Sequence, residues 1–358
     1  MIPAAKPLIG RQERKAVNRV LRSGGLAQGP EVAAFEEEFS VHVANRHCIA
    51  VNSGTSALHM AFIAAGIRPG DEVIVPSFSF AATANSVALA GAKPIFVDVE
   101  ENYFNLDPNL IEAAITPKTR AIMPVHLYGH PANMLEITKI AEKHDLLIFE
   151  DAAQAHMASI GGVPVGAWGT AASFSFYPTK NMTSGEGGMV VTPSTEISRM
   201  VKMLRNQGME IRYQNEIVGF NTRMTDVHAA IGREQLKKLH GWTQQRKKNA
   251  AFLSAHLTGV IVPKIASEFE HAFHQYTIKV VDTDRDSFAA ELTRRGIGNG
   301  VYYPTPIHRL PSFDLDLDLP VTRRVSDQVL SLPVHPSLKK RDLDRIIDVV
   351  NSVAKAGT

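Results

Sequence analysis

The chain reads as an α/β protein: a large domain with a mostly parallel mixed sheet sandwiched by helices, plus a smaller C-terminal α+β domain. Three observations predict this. Its 358 residues exceed what one small core organises. From Cys48 to Asp151, short apolar runs alternate with helical patterns. Those runs are nearly continuous in hydrophobicity, as strands covered on both faces are. The expected division is residues 1–240 for the large domain and 241–358 for the small one.

Taken in order, Arg11–Arg22 places Ala16, Val17, Val20 and Leu21 at helical spacing and stops at Gly24-Gly25. The loop Ser23–Pro30 has glycines that permit positive φ and close approach to a ligand; taken alone, it reads as a plain turn. Strands are expected at Cys48–Val51, Glu72–Val75, Pro94–Val97, Ala121–Pro124 and Leu146–Phe149. Helical patterns separate them at Thr55–Ala65, Ala82–Ala90, Pro108–Ala114 and Asn133–Lys143. Two more strands, Ala172–Phe176 and Met189–Thr192, precede a helix-forming stretch from Thr225 to Leu257. Beyond it come a strand at His274–Val281, a helix at Arg285–Arg295, a strand at Asn299–Tyr303, and helices at Thr322–Leu330 and Arg341–Val353. Phe313–Leu319 alternates like a strand, but Pro311 and Pro320 bracket it, so a loop is expected.

Composition narrows the function. A net charge of +2 offers no basic face for nucleic acid. Cys48 is the single cysteine, which excludes an internal disulfide and a Cys-based zinc site. His126 and His130 are four apart, but Gly129 and Pro131 argue against the helix a metal pair would need, so no metal is expected. The start, Met1–Pro7, lacks a secretory leader, and no stretch is apolar enough to span a bilayer. A cytoplasmic protein is expected.

The chemistry centres on Lys180, in a mostly uncharged Ser- and aromatic-rich segment, Ser173–Asn181. Desolvation there lowers an amine's pKa and frees it as a nucleophile, which suits Schiff-base chemistry with an aldehyde cofactor. Asp151 follows an apolar run, where open α/β sheets collect ligands; it can pair with a protonated pyridine nitrogen or simply cap a helix. Ser53-Gly54-Thr55-Ser56-Ala57 opens a helix after the first strand, as an anion cradle or a bare cap. If Phe174 and Phe176 face a core, Ser175 faces the other way, toward the lysine.

Together these residues resemble the DegT/DnrJ/StrS family of PLP-dependent sugar aminotransferases, of the aspartate-aminotransferase fold (fold type I). The similar stretches are Ser23–Pro30, Asn52–Leu58, Val75–Ser86, Pro124–Met134, Glu150–His156, Phe174–Gly188, Gly219–Ala230, Tyr302–His308 and Ser331–Pro336. Nine in one order are highly specific. The resemblance implies that Lys180 binds pyridoxal 5′-phosphate covalently, Asp151 pairs with the ring nitrogen, and Gln154 lies by the ring hydroxyl. It implies that Phe80 stacks on the ring and that Gly54, Thr55 and Ser175 hold the phosphate. Asn221 would reach that phosphate from a neighbouring subunit, in a homodimer with shared sites. Leu26, Gln28, Arg223 and His308 would lie near the sugar. The chain departs from the family pattern at Gly25, at Met157 where glycine is common, at Thr222, and across Arg309–Phe313.

The reaction so implied is ping-pong transamination from L-glutamate to a keto-sugar, a nucleotide-linked 4-keto-6-deoxyhexose or a 3-keto sugar. An inosose-type cyclitol ketone is the alternative acceptor. A PLP-dependent sugar dehydratase is disfavoured by Lys180. A non-catalytic regulator is disfavoured by the full set of Lys180, Asp151, Gln154 and Ser175.

Overall fold

The structure, a computed structural model, describes residues 1–356. Helices α1 (Arg11–Ser23) and α2 (Pro30–Ser40) lead into β1 (His47–Val51), α3 (Gly54–Ala64), β2 (Glu72–Pro76), α4 (Ala82–Leu89), β3 (Lys93–Val97) and β4 (Thr119–Ile122). Then follow α5 (Met134–His144), β5 (Leu147–Asp151), the short β6 (Ser159–Ile160) and β7 (Val163–Pro164), β8 (Ala171–Ser175), β9 (Gly188–Thr192) and α6 (Thr195–Arg205). The principal sheet has seven strands in the order β1-β9-β8-β5-β4-β2-β3. Strands β3, β2, β4, β5 and β8 pair in parallel, and β9 runs antiparallel to both its neighbours.

Alternation along the strands builds two cores. Ile49, Val51, Val75, Phe149, Ala171 and Val190 pack on one face with α3 and α6. On the other, Ala50, Ala172, Phe174 and Val191 meet α2 and α7 (Asp226–His256), while Ile74, Ile122 and Ile148 meet α5. Each such aliphatic or aromatic side chain, fully buried, contributes about 1.5–3 kcal/mol. Helix starts are set locally: Ser53, Asn133, Ser194 and Thr225 each accept a backbone N–H of the first turn. Gly24, with φ 74, ends α1.

Helix α7 is continuous through residues 240 and 241, the expected domain boundary. After it come β10 (Phe269–Glu270), β11 (Tyr276–Lys279), α8 (Arg285–Arg294), α9 (Pro320–Gln328), β12 (Val329–Leu332) and α10 (Lys340–Ala356). β11 and β12 pair antiparallel, and Tyr276, Ile278, Leu330 and Leu332 join Phe288, Ile346 and Val350 in a further core.

Several elements differ from the expectation. Pro108–Ala114 forms two 3₁₀ turns, because the Asp107 side chain caps Asn109 in a tight turn that competes with a longer helix. Asn299–Tyr303 makes one bridge, Gly300 to Ser331, and no ladder; Pro304 and Pro306 end any pairing. The helix expected at Thr322–Leu330 stops at Gln328, where β12 begins. Helices α2 and α6 were not singled out from the sequence. Phe313–Leu319 carries no strand, as its flanking prolines indicate.

Candidate active site

The parallel strands β5 and β8 end side by side, with Asp151 paired to Ser173. Gly188 of β9 lies opposite both Ser175 and Val51. Open α/β sheets take ligands in the crevice beyond such strand ends, and here the start of α3 packs against them. A Cβ on Gly188 would lie 2.2 Å from the Ser53 carbonyl oxygen and 2.8 Å from the Gly54 nitrogen, so only glycine lets α3 begin there. Gly54 in turn packs on Ser175, at 2.9 Å from that side chain for an added Cβ. The Gly54 and Thr55 N–H groups, at the positive end of α3, have no backbone partner, and Gly54 lies against the Ser175 side chain.

Asp151, the last residue of β5, is buried. Its Oδ2 accepts from Thr83 Oγ1 at 2.8 Å and its Oδ1 from the Ala153 N–H at 3.2 Å. Burial pushes its carboxyl above the ordinary range, opposed by Thr83, Ala153 and the charge of Lys180. Lys180 forms no ion pair or side-chain hydrogen bond among the described residues. Burial drives its amine down to about 8, and Asp151 partly offsets this.

Gln154 is held at both ends. Its Oε1 accepts the Tyr128 N–H at 2.7 Å, which turns Nε2 outward, where it donates to the Tyr303 hydroxyl at 3.1 Å. Phe80 is 57% exposed at the mouth of the crevice, and its ring lies 5.8 Å from that of Tyr303, tilted by 37°. Phe78, two residues earlier, is wholly buried. Beneath the site, the Ala132 N–H donates to His126 Nδ1 at 2.9 Å, so Nε2 carries the ring proton and donates to Glu150 Oε2 at 3.1 Å. Glu150 also accepts the N–H groups of Gly166, Trp168 and Gly169. Burial would raise its carboxyl, but His126 and these amides outweigh it and hold it low.

The structure thus brings Lys180 near Asp151, links Gln154 and Phe80 to Tyr303 beside that carboxylate, and sets Gly54 against Ser175. The residues expected near the sugar are less uniform. Leu26 and Gln28 are exposed on a loop anchored by Asp226, whose Oδ1 accepts the N–H groups of Gly29 and Val32. Arg223 donates to Asn206 at 2.8 Å. His308 is buried, with Nδ1 2.6 Å from Ser77 Oγ, fastening the 302–308 segment to the end of β2. Asn221 is exposed and makes no hydrogen bond to Gly54, Thr55 or Ser175. Thr83, Tyr128, Glu150 and Tyr303 had no role assigned from sequence, although all lie inside or beside the family-like stretches.

The donor set fits pyridoxal phosphate: a free amine, a buried carboxylate, an outward amide N–H, an aromatic lip and unpaired amides at a helix start. The chain belongs to the DegT/DnrJ/EryC1/StrS aminotransferase family, whose sequence model matches residues 7–351. It is therefore an aminotransferase. A "pleiotropic regulatory protein" of Geobacillus stearothermophilus is 40% identical over 94% of this chain and 92% of its own length. The dTDP-3-amino-3,4,6-trideoxy-α-D-glucose transaminase of Streptomyces venezuelae is 42% identical, over 95% and 91%. The crystal structure of NtdA from Bacillus subtilis with bound cofactor PMP superposes with a TM-score of 0.89 at 32% identity, covering 97% of this chain and 83% of that one. No helix among the described residues is long and apolar enough to cross a membrane.

Proposed function

We propose that this chain moves an amino group from L-glutamate to the ketone of a nucleotide-linked sugar, a 4-keto-6-deoxyhexose or a 3-keto sugar, in two half-reactions. The observation that carries this reading is an unbonded, partly neutral Lys180 amine within electrostatic reach of the oriented carboxyl group of Asp151. The cofactor is pyridoxal 5′-phosphate, with PMP its amino form. When bound, it supplies the carbonyl that takes up the amino group and a ring that accepts the electron pair left behind.

The chain's residues do the rest. Lys180 would hold the aldehyde at rest and, once released, would carry the proton from the donor's α-carbon to the cofactor carbon that keeps the amino nitrogen, and the reverse in the second half-reaction; an amine titrating near 8 suits both directions. Asp151 would keep the ring nitrogen protonated. Gln154 Nε2 would donate to the ring oxygen, Phe80 would cover one ring face, and Ser175 with the Gly54 and Thr55 amides would bind the phosphate. Leu26, Gln28, Arg223 and His308 line or brace the sugar side. A homodimer is part of the same reading: Ile211, Tyr213 and Val218 stand exposed beside Asn221, which a partner's phosphate would engage.

Replacing Lys180 by alanine tests this. The expected result is no turnover and no absorbance of covalently held cofactor; retained transamination removes Lys180 from the mechanism. Offering keto-sugar nucleotides and inososes to the amino form then identifies the acceptor. The name of the Geobacillus relative favours a second, regulatory reading; glutamate-driven conversion of the cofactor to its amino form decides against a purely non-catalytic role.

A further inference from the structure

We propose that Tyr303 binds substrate directly, donating its phenolic O–H to an oxygen of the molecule that enters the crevice. The inference rests on the aminotransferase reading above and adds a contact to it. Tyr303 stands where three constraints meet. Gln154 Nε2 donates to its oxygen at 3.1 Å, which occupies an acceptor position of the phenol. Gln154 cannot turn away, because its other end is fixed by the Tyr128 N–H at 2.7 Å. The Tyr128 hydroxyl donates to the carbonyl of Tyr302, so the same residue also fixes the backbone from which Tyr303 projects. Tyr128 does this from a left-handed backbone, φ 59, a conformation costly for a non-glycine residue and concentrated at functional sites.

What is left over is one hydrogen. No acceptor among the described residues takes the Tyr303 O–H, while its ring lies beside the exposed Phe80 at the crevice mouth. Tyr303 is half-buried, and a hydroxyl whose hydrogen is left open there is placed to meet an acceptor on an entering ligand. Burial and the charge of Asp151 push the phenol up, so it keeps its hydrogen, and with Gln154 already on its oxygen that hydrogen is the function left to offer. The ligand chemistry is therefore an oxygen acceptor: a carboxylate of the amino donor, or a hydroxyl or keto oxygen of the sugar.

The test compares wild-type holoenzyme with Tyr303→Phe in separate half-reactions, glutamate with the PLP form and keto-sugar nucleotide with the PMP form. Apparent Kd is read by rapid mixing, and cofactor affinity and absorbance are read before substrate is added. Loss of a bond to a carboxylate weakens glutamate binding roughly 10- to 100-fold; loss of one to a hydroxyl or keto oxygen weakens sugar binding roughly 2- to 10-fold. Tyr302→Phe, which keeps the carbonyl that Tyr128 uses, leaves both values unchanged. Unaltered Kd in both half-reactions of Tyr303→Phe overturns the inference. So does a shift in cofactor affinity or absorbance that precedes substrate, which assigns the O–H to the cofactor or to propping Gln154. A wild-type enzyme that takes no amino group from glutamate fails the donor reading itself, whereas an active wild type matched by Tyr303→Phe fails only this inference.

Discussion

Thr83 Oγ1 donates a 2.8 Å hydrogen bond to Asp151 Oδ2, tying the first turn of α4 to the last residue of β5. The proton of Thr83 is thereby committed, so Ser79, 2.8 Å away, is the donor in its own contact with Thr83. Two hydroxyls in series thus stabilise the buried carboxylate. Thr83→Val removes the bond at nearly constant volume and raises the Asp151 pKa further. A bond to a charged group contributes about 1.5–3 kcal/mol. Turnover of the variant is expected to fall roughly 10- to 100-fold, with the acid limb of its pH–rate profile moved to higher pH.

Lys180 titrates near 8, so its nucleophilicity in the cofactor-free protein rises with pH through that value and not through the ordinary lysine range. Asp151 pulls this pKa upward, so Asp151→Asn moves the profile toward acid. The rate of modification at Lys180 by an amine reagent, followed by peptide mass spectrometry against pH, measures both.

Glu150 accepts from four donors while fully buried. Glu150→Gln turns an amide N–H toward these donors and is expected to cost about 3 kcal/mol of stability. The wild-type carboxyl is held below its unfolded value, so its contribution is present above the ordinary carboxyl range and lost as pH falls through the lowered one. Urea unfolding at neutral and acid pH should show wild type and variant converging in acid.

Gly188→Ala drives a Cβ into the Ser53 carbonyl, a backbone atom that cannot yield without shifting the start of α3. The expected loss is about 1–3 kcal/mol. Cofactor titration of the variant should show weaker binding, because the amides of Gly54 and Thr55 move with the helix.

The strands of the large sheet were legible because their apolar runs are uninterrupted, and Ser175 was legible because Phe174 and Phe176 bury on the opposite face. Asp151 was placed just past its strand and proves to end it. Met157, where the family favours glycine, adopts φ 68, a left-handed backbone that explains the preference. Other parts were hidden. Thr83 and Tyr303 approach Asp151 and Gln154 across 68 and 149 residues of chain, a proximity no local pattern encodes. Glu150 looked like a neighbour of the important acid; its four donors come from segments whose turns have no periodic signature. His308 reads as a ligand-facing imidazole from its motif, while its burial against Ser77 depends on how the 302–308 segment crosses β2.

The Asp226 carboxylate bridges the amides of Gly29 and Val32 from the first position of α7, three residues after Arg223. The two banks of the expected sugar entrance are thus riveted together below the waterline, with the Asp226 N–H also held by the Ala27 carbonyl, while the side chains of Leu26 and Gln28 stand exposed above it. Lineages could therefore exchange that short tether to admit differently shaped ketones and leave the catalytic floor untouched.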